Sequence, residues 1–246
     1  RRRKSSSSAG RPKIPPRTIC FSRHGKSALA PVTSARGSTR EMEAIVAGLP
    51  ADEASSSYGL SVRTTLALMR GDHAEVVRVD RLRPVAEGDV MTELSQVRPV
   101  ATALAAQGDL AGARTRLQEF PPKLRARIEL EAENAALWSE LGAVEAMLGH
   151  KEEALRCANK AVELVPESVD ALEGPGHRAN LAFVQAWTGD KESALAEYTR
   201  LLGIPVSSSG VVNVHVMKRH PYFFPLQGDP RFEALLNDPK NNAPLF

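Results

Sequence analysis

Residues 23–27 are the strongest candidate for chemistry in the sequence, which reads Arg-His-Gly-Lys-Ser there. A histidine ring can attack phosphorus as a nucleophile, and a neighbouring arginine can neutralise the phosphate charge. The Gly-Lys-Ser end also matches the last residues of the loop G-x-x-x-x-G-K-[ST], which holds nucleotide phosphates. The first glycine of that loop would fall on Cys20, so the phosphate-binding backbone is incomplete.

The triplet Arg23-His24-Gly25 resembles the signature of histidine phosphatases, in which the histidine accepts a phosphoryl group at the end of a first strand. This resemblance implies a second histidine, further arginines and an α/β sheet that brings them together. The remaining sequence shows no alternation of strands and helices. We therefore predict no catalytic residues and keep a histidine-phosphatase-like enzyme as an alternative.

Histidines and cysteines are too scattered to predict a metal centre. The two cysteines lie far apart, and the five histidines after residue 40 have no histidine or cysteine four residues away. His73, His150 and His177 fall at expected turns or loops, where a solvated histidine is the ordinary case. We predict no metal ligands and no cofactor, and two cysteines exclude a disulfide-based scaffold.

Composition favours a helical protein. Of 246 residues, 42% are hydrophobic but only 5% are aromatic, so the core must consist largely of alanine, leucine and valine. Such a core suits closely packed helices better than a β-sandwich, which uses more aromatic and β-branched residues. No apolar run reaches the ~18 residues that a membrane span needs, so we predict none.

The first forty residues differ in charge from the rest of the chain. They contain 11 Lys or Arg, eight Ser and no Asp or Glu, whereas the remainder holds 21 basic and 29 acidic residues. We predict that residues 1–40 are disordered, because they cannot bury enough apolar surface to offset their ordering entropy. Two alternatives for this basic arm are an organellar targeting segment and a nucleic-acid-binding or nuclear-targeting arm.

Four helix-breaking pairs recur between helical stretches that are rich in alanine and leucine. They are separated by 37, 41 and 40 residues and comprise Gly71-Asp72, Gly108-Asp109, Gly149-His150 and Gly189-Asp190. Glycine ends one helix in the left-handed conformation, and aspartate caps the next. Small residues seven before and five after each glycine, Val76 aside, let the two arms approach closely. The pattern predicts antiparallel helix pairs.

Residues 135–168 resemble a tetratricopeptide repeat. Seven positions carry the resemblance: Trp138, Leu141, Gly142, Gly149, Ala154, Ala161 and Pro166. One position departs from the pattern, because Glu145 stands where tyrosine is usual. A second, less complete repeat covers 175–203, and the weaker units before it extend the resemblance over about 57–203. The family implies an all-α superhelix, or α-solenoid, here over residues 41–210.

The last 36 residues form a predicted C-terminal cap, residues 211–246. Asp229 followed by Pro230 is typical of a helix start, and Phe232, Leu235 and Leu236 then share one helix face. The block from the expected Gly-Pro-Gly loop at 174–176 to this end resembles C-terminal arrays of bacterial signalling proteins. This resemblance implies a regulatory or scaffolding module in the cytoplasm, with the periplasm as the alternative for a membrane-anchored chain.

In tetratricopeptide proteins the first helix of each pair lines a concave groove that binds proteins. By this resemblance, the residues that face the groove are small or apolar: Ser139, Ala143, Met147, Ala179, Phe183 and Trp187. The Lys and Asn residues with which some members of the family bind a C-terminal carboxylate are missing from these positions. We therefore predict a non-catalytic module that binds a protein, through a peptide or a helix. We expect no small-molecule substrate and, unless the basic arm supplies one, no nucleic-acid partner.

Overall fold

The computed structural model describes residues 38–83, 88–204 and 212–241, and every regular element in these ranges is a helix. Four consecutive hairpins form the body of the protein. They pair α3 (Ser57–Arg70) with α4 (His73–Asp80), α5 (Val90–Ala106) with α6 (Leu110–Leu117), α8 (Ala135–Leu148) with α9 (Lys151–Leu164), and α10 (Gly174–Trp187) with α11 (Lys191–Leu202). Neighbouring hairpins pack on one another, which confirms the predicted all-α stack of helix pairs.

Shorter elements flank or interrupt the hairpins. They are α1 (Thr39–Ala47), α2 (Ala51–Ala54), α7 (Phe120–Leu130), α12 (Val214–Met217), a 3₁₀ helix (Pro221–Leu226) and α13 (Pro230–Asn237). The prediction for the basic arm falls outside the described residues as far as residue 37. Helix α1 begins at Thr39, just before the predicted domain boundary.

The turns between paired helices follow the predicted design. Gly71, Gly108, Gly149 and Gly189 all have positive φ, between 69° and 94°. The three aspartates that follow a glycine each accept a hydrogen bond from a backbone amide in the next helix, at Glu75, Gly112 and Ser193. These caps confirm the predicted turns.

Helices α8 and α9 approach each other closely at Gly142. A Cβ atom there would lie 3.0 Å from the Ala154 carbonyl oxygen and 3.0 Å from the Ala158 amide nitrogen. Both neighbours are backbone atoms, so they cannot rotate away as a side chain would. The predicted use of small residues for close packing is therefore confirmed in this hairpin.

Two local predictions need correction. The Gly-Pro-Gly sequence at 174–176 is not a loop, because it forms the first turn of α10, where a proline suits the free amide positions. A Cβ atom on Gly174 would lie 2.7 Å from the backbone of Glu167, so glycine is needed for this close approach. Helix α7, which begins with the sequence Phe120-Pro121-Pro122, was not predicted as a separate element.

The chain returns across the first helices of the hairpins after α11. Residues 212–226, here called the C-terminal segment, include the 3₁₀ helix, which packs against α5 and α10. The Arg219 guanidinium donates a hydrogen bond to the Met69 carbonyl in α3, at 3.3 Å. Helix α13 then packs against α11, with Asp229 accepting a hydrogen bond from the Arg231 amide, as predicted for the cap. The first helices are thus partly covered by the chain's own C-terminus.

Candidate functional site

A cavity of about 260 Å³ lies between α8, α10 and the C-terminal segment. Its wall includes residues from the first helices α5, α8 and α10, and Tyr222 and Phe223 from the C-terminal segment. The cavity therefore lies on the face of the array where the sequence predicted a binding groove. It is referred to below as the groove cavity.

Arg98 of α5 is anchored at this cavity by two partners. Its Nη1 atom lies 2.7 Å from Oε2 of Glu140, and its Nε atom donates to the Tyr222 hydroxyl at 3.2 Å. Burial alone would lower the pKa of Arg98, but the Glu140 carboxylate and Tyr222 outweigh it and raise that pKa above its ordinary value. The arginine charge is thus neutralised by Glu140 rather than free for a ligand.

Ser139 and His177 form a buried polar pair on another part of the wall. The serine Oγ lies 2.9 Å from histidine Nδ1, and the Asn180 side-chain amide donates to the Ser139 carbonyl at 2.7 Å. Burial lowers the pKa of His177, against the opposing effect of Glu173 and Asp170, so the ring is neutral near pH 7. His177 is only 9% exposed, and the expectation of a solvated loop histidine was therefore wrong.

The tautomer of His177 decides which groups this pair offers to a ligand. When the Ser139 hydroxyl donates to His177 Nδ1, the ring proton lies on Nε2. Neither Nε2 of His177 nor Oδ1 of Asn180 has a hydrogen-bond partner in the described ranges. In that tautomer the cavity wall offers one donor, His177 Nε2–H, and one acceptor, Asn180 Oδ1.

Aromatic side chains complete the cavity. The Phe183 ring meets the Tyr222 ring edge-on at 5.5 Å, and Tyr198 meets Phe223 edge-on at 5.2 Å. Trp187 packs on Phe183 and donates from Nε1 to the Tyr222 carbonyl at 3.0 Å. These contacts fix the C-terminal segment against α10 and give the cavity a rigid apolar wall.

The six predicted groove residues divide into two groups. Ser139, Ala179 and Phe183 line the groove cavity. Ala143 and Met147 are buried in the main core, and Trp187 packs beside the cavity without lining it. The binding role of all six stays a prediction.

The sequence pattern did not predict the polar residues that line the cavity. The predicted surface was small and apolar, whereas Arg98, Glu140, His177 and Asn180 also line the cavity. Two of them, Glu140 and Asn180, directly follow the predicted residues Ser139 and Ala179 in the sequence. The others depend on contacts between distant parts of the chain, such as Arg98 with Tyr222, which local spacing does not show.

The described residues support neither the phosphatase alternative nor a metal site nor a reactive cysteine. His24, the basis of the phosphatase alternative, and Cys20 lie outside them. Within the described ranges no group of three or more His, Cys, Asp or Glu side chains is placed to hold a metal ion. Cys157 is buried, and this burial raises the pKa of its thiol to about 12, which disfavours the nucleophilic thiolate. No described helix combines the length and hydropathy needed to cross a bilayer.

Comparison with known proteins supports the repeat. Residues 135–168 match the family model described as Tetratricopeptide repeat, over the same range that the sequence pattern indicated. No curated protein shows a significant match to the chain. Together with the stacked helix pairs, the family match confirms the resemblance to tetratricopeptide repeat proteins. Repeats of this family generally form non-catalytic protein-interaction modules.

Proposed function

We propose that this protein is a non-catalytic interaction module that binds an extended segment of a partner protein at the groove cavity. The observation that carries the proposal is the wall of this cavity. Ser139, His177 and Asn180 are held there by hydrogen bonds, and His177 Nε2 and Asn180 Oδ1 have no further partner among the described residues. Unused groups of this kind are suited to pair with a peptide group of a ligand.

The proposal gives different roles to the six predicted groove residues. Ser139 orients His177, and Phe183 and Ala179 form the apolar part of the contact surface. Ala143, Met147 and Trp187 support the wall from behind. The bound segment is expected to be extended rather than helical, because the C-terminal segment already narrows the space between α5 and α10.

The resemblance of residues 174–246 to arrays in bacterial signalling proteins supports a narrower role. We propose that the module regulates or scaffolds a signalling protein in the cytoplasm. Fractionation of the native host with immunodetection of the chain tests the location. Recovery with periplasmic proteins would contradict the cytoplasmic part of the proposal.

A bulky residue at the cavity mouth tests where partners bind. Ala136 is exposed, lines the cavity and is the second residue of α8. Peptides selected on the full chain from a random display library should bind the Ala136→Trp variant about tenfold more weakly, a loss of about 1.4 kcal/mol. Isothermal titration calorimetry measures this difference.

A matched control is available at Ala111. It is also exposed and is the second residue of α6, but it does not line the cavity. The Ala111→Trp variant should bind the selected peptides as the unmodified chain does. Failure to select any peptide, or equal binding by the two variants, would contradict the proposal.

A further inference from the structure

We infer that the groove cavity selects a partner segment that carries a positively charged side chain, arginine or lysine, next to an apolar residue. This inference rests on the proposed function and names the chemistry of the ligand. It follows from the charge, the shape and the hydrogen-bonding groups of the cavity, together with exposed apolar residues beside it.

The charged side chains around the cavity leave an excess negative charge. Arg98 and Glu140 neutralise one another at 2.7 Å, and His177 is neutral. Glu173 also lines the cavity and forms no ion pair with any residue that the structure describes. Asp170 is close enough to influence His177 and is kept ionised by hydrogen bonds from the backbone amides of Leu172 and Glu173. A carboxylate ligand would be repelled here, whereas a cation would be attracted.

The size and the apolar wall of the cavity suit one long basic side chain. Its volume of about 260 Å³ lies below the ~300–1,000 Å³ of pockets that hold drug-sized ligands. Arginine and lysine carry apolar stems that pack on hydrophobic surface while the charged head reaches a polar group. The rings of Phe183 and Tyr222 provide such a surface, and Glu173 provides the acceptor for the head.

The remaining polar groups match a peptide backbone. In the tautomer in which the Ser139 hydroxyl donates to Nδ1, His177 Nε2–H is a donor and Asn180 Oδ1 is an acceptor, which is the complement of one carbonyl and one amide. A free amine or guanidine would leave the histidine donor without an acceptor. The combination therefore points to a basic residue within a polypeptide rather than to a small cationic metabolite.

Exposed apolar side chains lie next to Glu173 in the loop before α10. Val169 and Leu172 are 79% and 55% exposed. Large apolar side chains with this exposure contribute hydrophobic area to a contact when a partner covers them. A ligand with an apolar residue beside its basic residue would meet both features of this loop.

Peptide pools test the charge requirement on the full chain. Four pools of blocked nine-residue peptides share random flanks and differ in the central residue, which is arginine, lysine, citrulline or glutamate. Citrulline has nearly the shape of arginine without its charge. The arginine and lysine pools should bind about two- to fivefold more tightly than the citrulline pool, by fluorescence anisotropy, as expected for a contact with an exposed carboxylate. The glutamate pool should bind most weakly.

Two matched glutamate variants locate the charge contact. Glu173→Gln should weaken the arginine pool by about two- to fivefold and leave the citrulline pool unchanged, which is the scale of one exposed ion pair. Glu152→Gln is the control, because Glu152 is also an exposed residue at the start of a helix, α9, and lies outside the cavity lining. It should leave both pools unchanged.

The outcomes separate this inference from the proposed function. Equal binding of the arginine and citrulline pools, or equal effects of the two glutamate variants, would overturn the charge requirement while peptide binding itself stands. Absence of binding by all pools would overturn both. The chain's own basic arm is a competing occupant, and tighter peptide binding after replacement of its Lys and Arg by Gln would assign the cavity to the arm instead of a partner.

Discussion

The α8–α9 hairpin and the C-terminal segment hold their positions by different means. In the hairpin, small residues bring two neighbouring helices together, as at Gly142 against Ala154. The C-terminal segment is held by aromatic rings and by polar contacts between distant residues, as between Arg98 and Tyr222. The regular hairpin builds a framework, and the irregular segment packs over the first helices and contributes Tyr222 and Phe223 to the wall of the groove cavity. Contacts of the second kind should therefore affect binding and stability together.

The largest expected loss of stability comes from the contacts that hold the C-terminal segment. Phe183→Ala should lower the free energy of unfolding by about 3–5 kcal/mol, because it empties a buried site between Trp187 and Tyr222. Denaturation with urea measures this loss. Phe224→Ala is the control, since Phe224 is only partly buried against Trp187 and should cost clearly less. Equal losses would contradict the central packing role given to Phe183.

A smaller effect is expected inside the regular hairpin. Glu145 is 1% exposed and binds both the Arg125 guanidinium and His150 Nδ1, the latter at 2.6 Å. Glu145→Gln should reduce the stability by about 2 kcal/mol, because hydrogen bonds to charged groups are worth ~1.5–3 kcal/mol. The exposed Glu152→Gln variant should stay within about 0.5 kcal/mol of the unmodified protein. An unchanged stability for Glu145→Gln would show that this carboxylate does not tie α7 to the hairpin.

The smallest expected effect is a pH dependence of the C-terminal segment. Burial, with Arg98 and His73 nearby, lowers the pKa of His220 to about 3. The unfolded chain binds this proton near pH 6.5, so stability is complete above pH 6.5 and falls as the pH drops toward 3. One such proton corresponds to about 1 kcal/mol between pH 6.5 and 5.5.

Two histidine variants isolate this titration. His220→Gln should flatten the dependence of the free energy of unfolding on pH, whatever its effect at neutral pH. His215→Gln changes an exposed histidine of the same segment and should leave the slope intact. Parallel slopes for the two variants would remove His220 as the cause.

The sequence predicted the framework better than the site, for a physical reason. Glycine at positive φ, aspartate caps and the small residues of the 135–168 repeat are local features that spacing reveals. The starts of α10 and α7 could also have been predicted, since each helix has a proline as its second residue. The sequence showed Glu145 only as a departure from the repeat pattern, whereas the structure shows a buried carboxylate that contacts Arg125 and His150.

The site depends on contacts that no local pattern contains. Ser139 and His177 meet across two hairpins, and Tyr222 reaches Arg98 only because the chain returns over α5. Phe183 was predicted as a groove residue, and the structure shows that it is also a buried core residue. Sequence spacing did not show that Tyr222 would pack against Phe183.

The central claim is that partner segments bind at the groove cavity beside His177. Long-range ¹H–¹⁵N correlation spectra of the histidine rings test it directly during titration of the full chain with the arginine-centred peptide pool. We expect His177 to show a neutral ring with the proton on Nε2 and to shift as peptide is added. His150, which lies at the α8–α9 turn outside the cavity lining, should not move. Peptide binding with an unchanged His177 signal would contradict the claim.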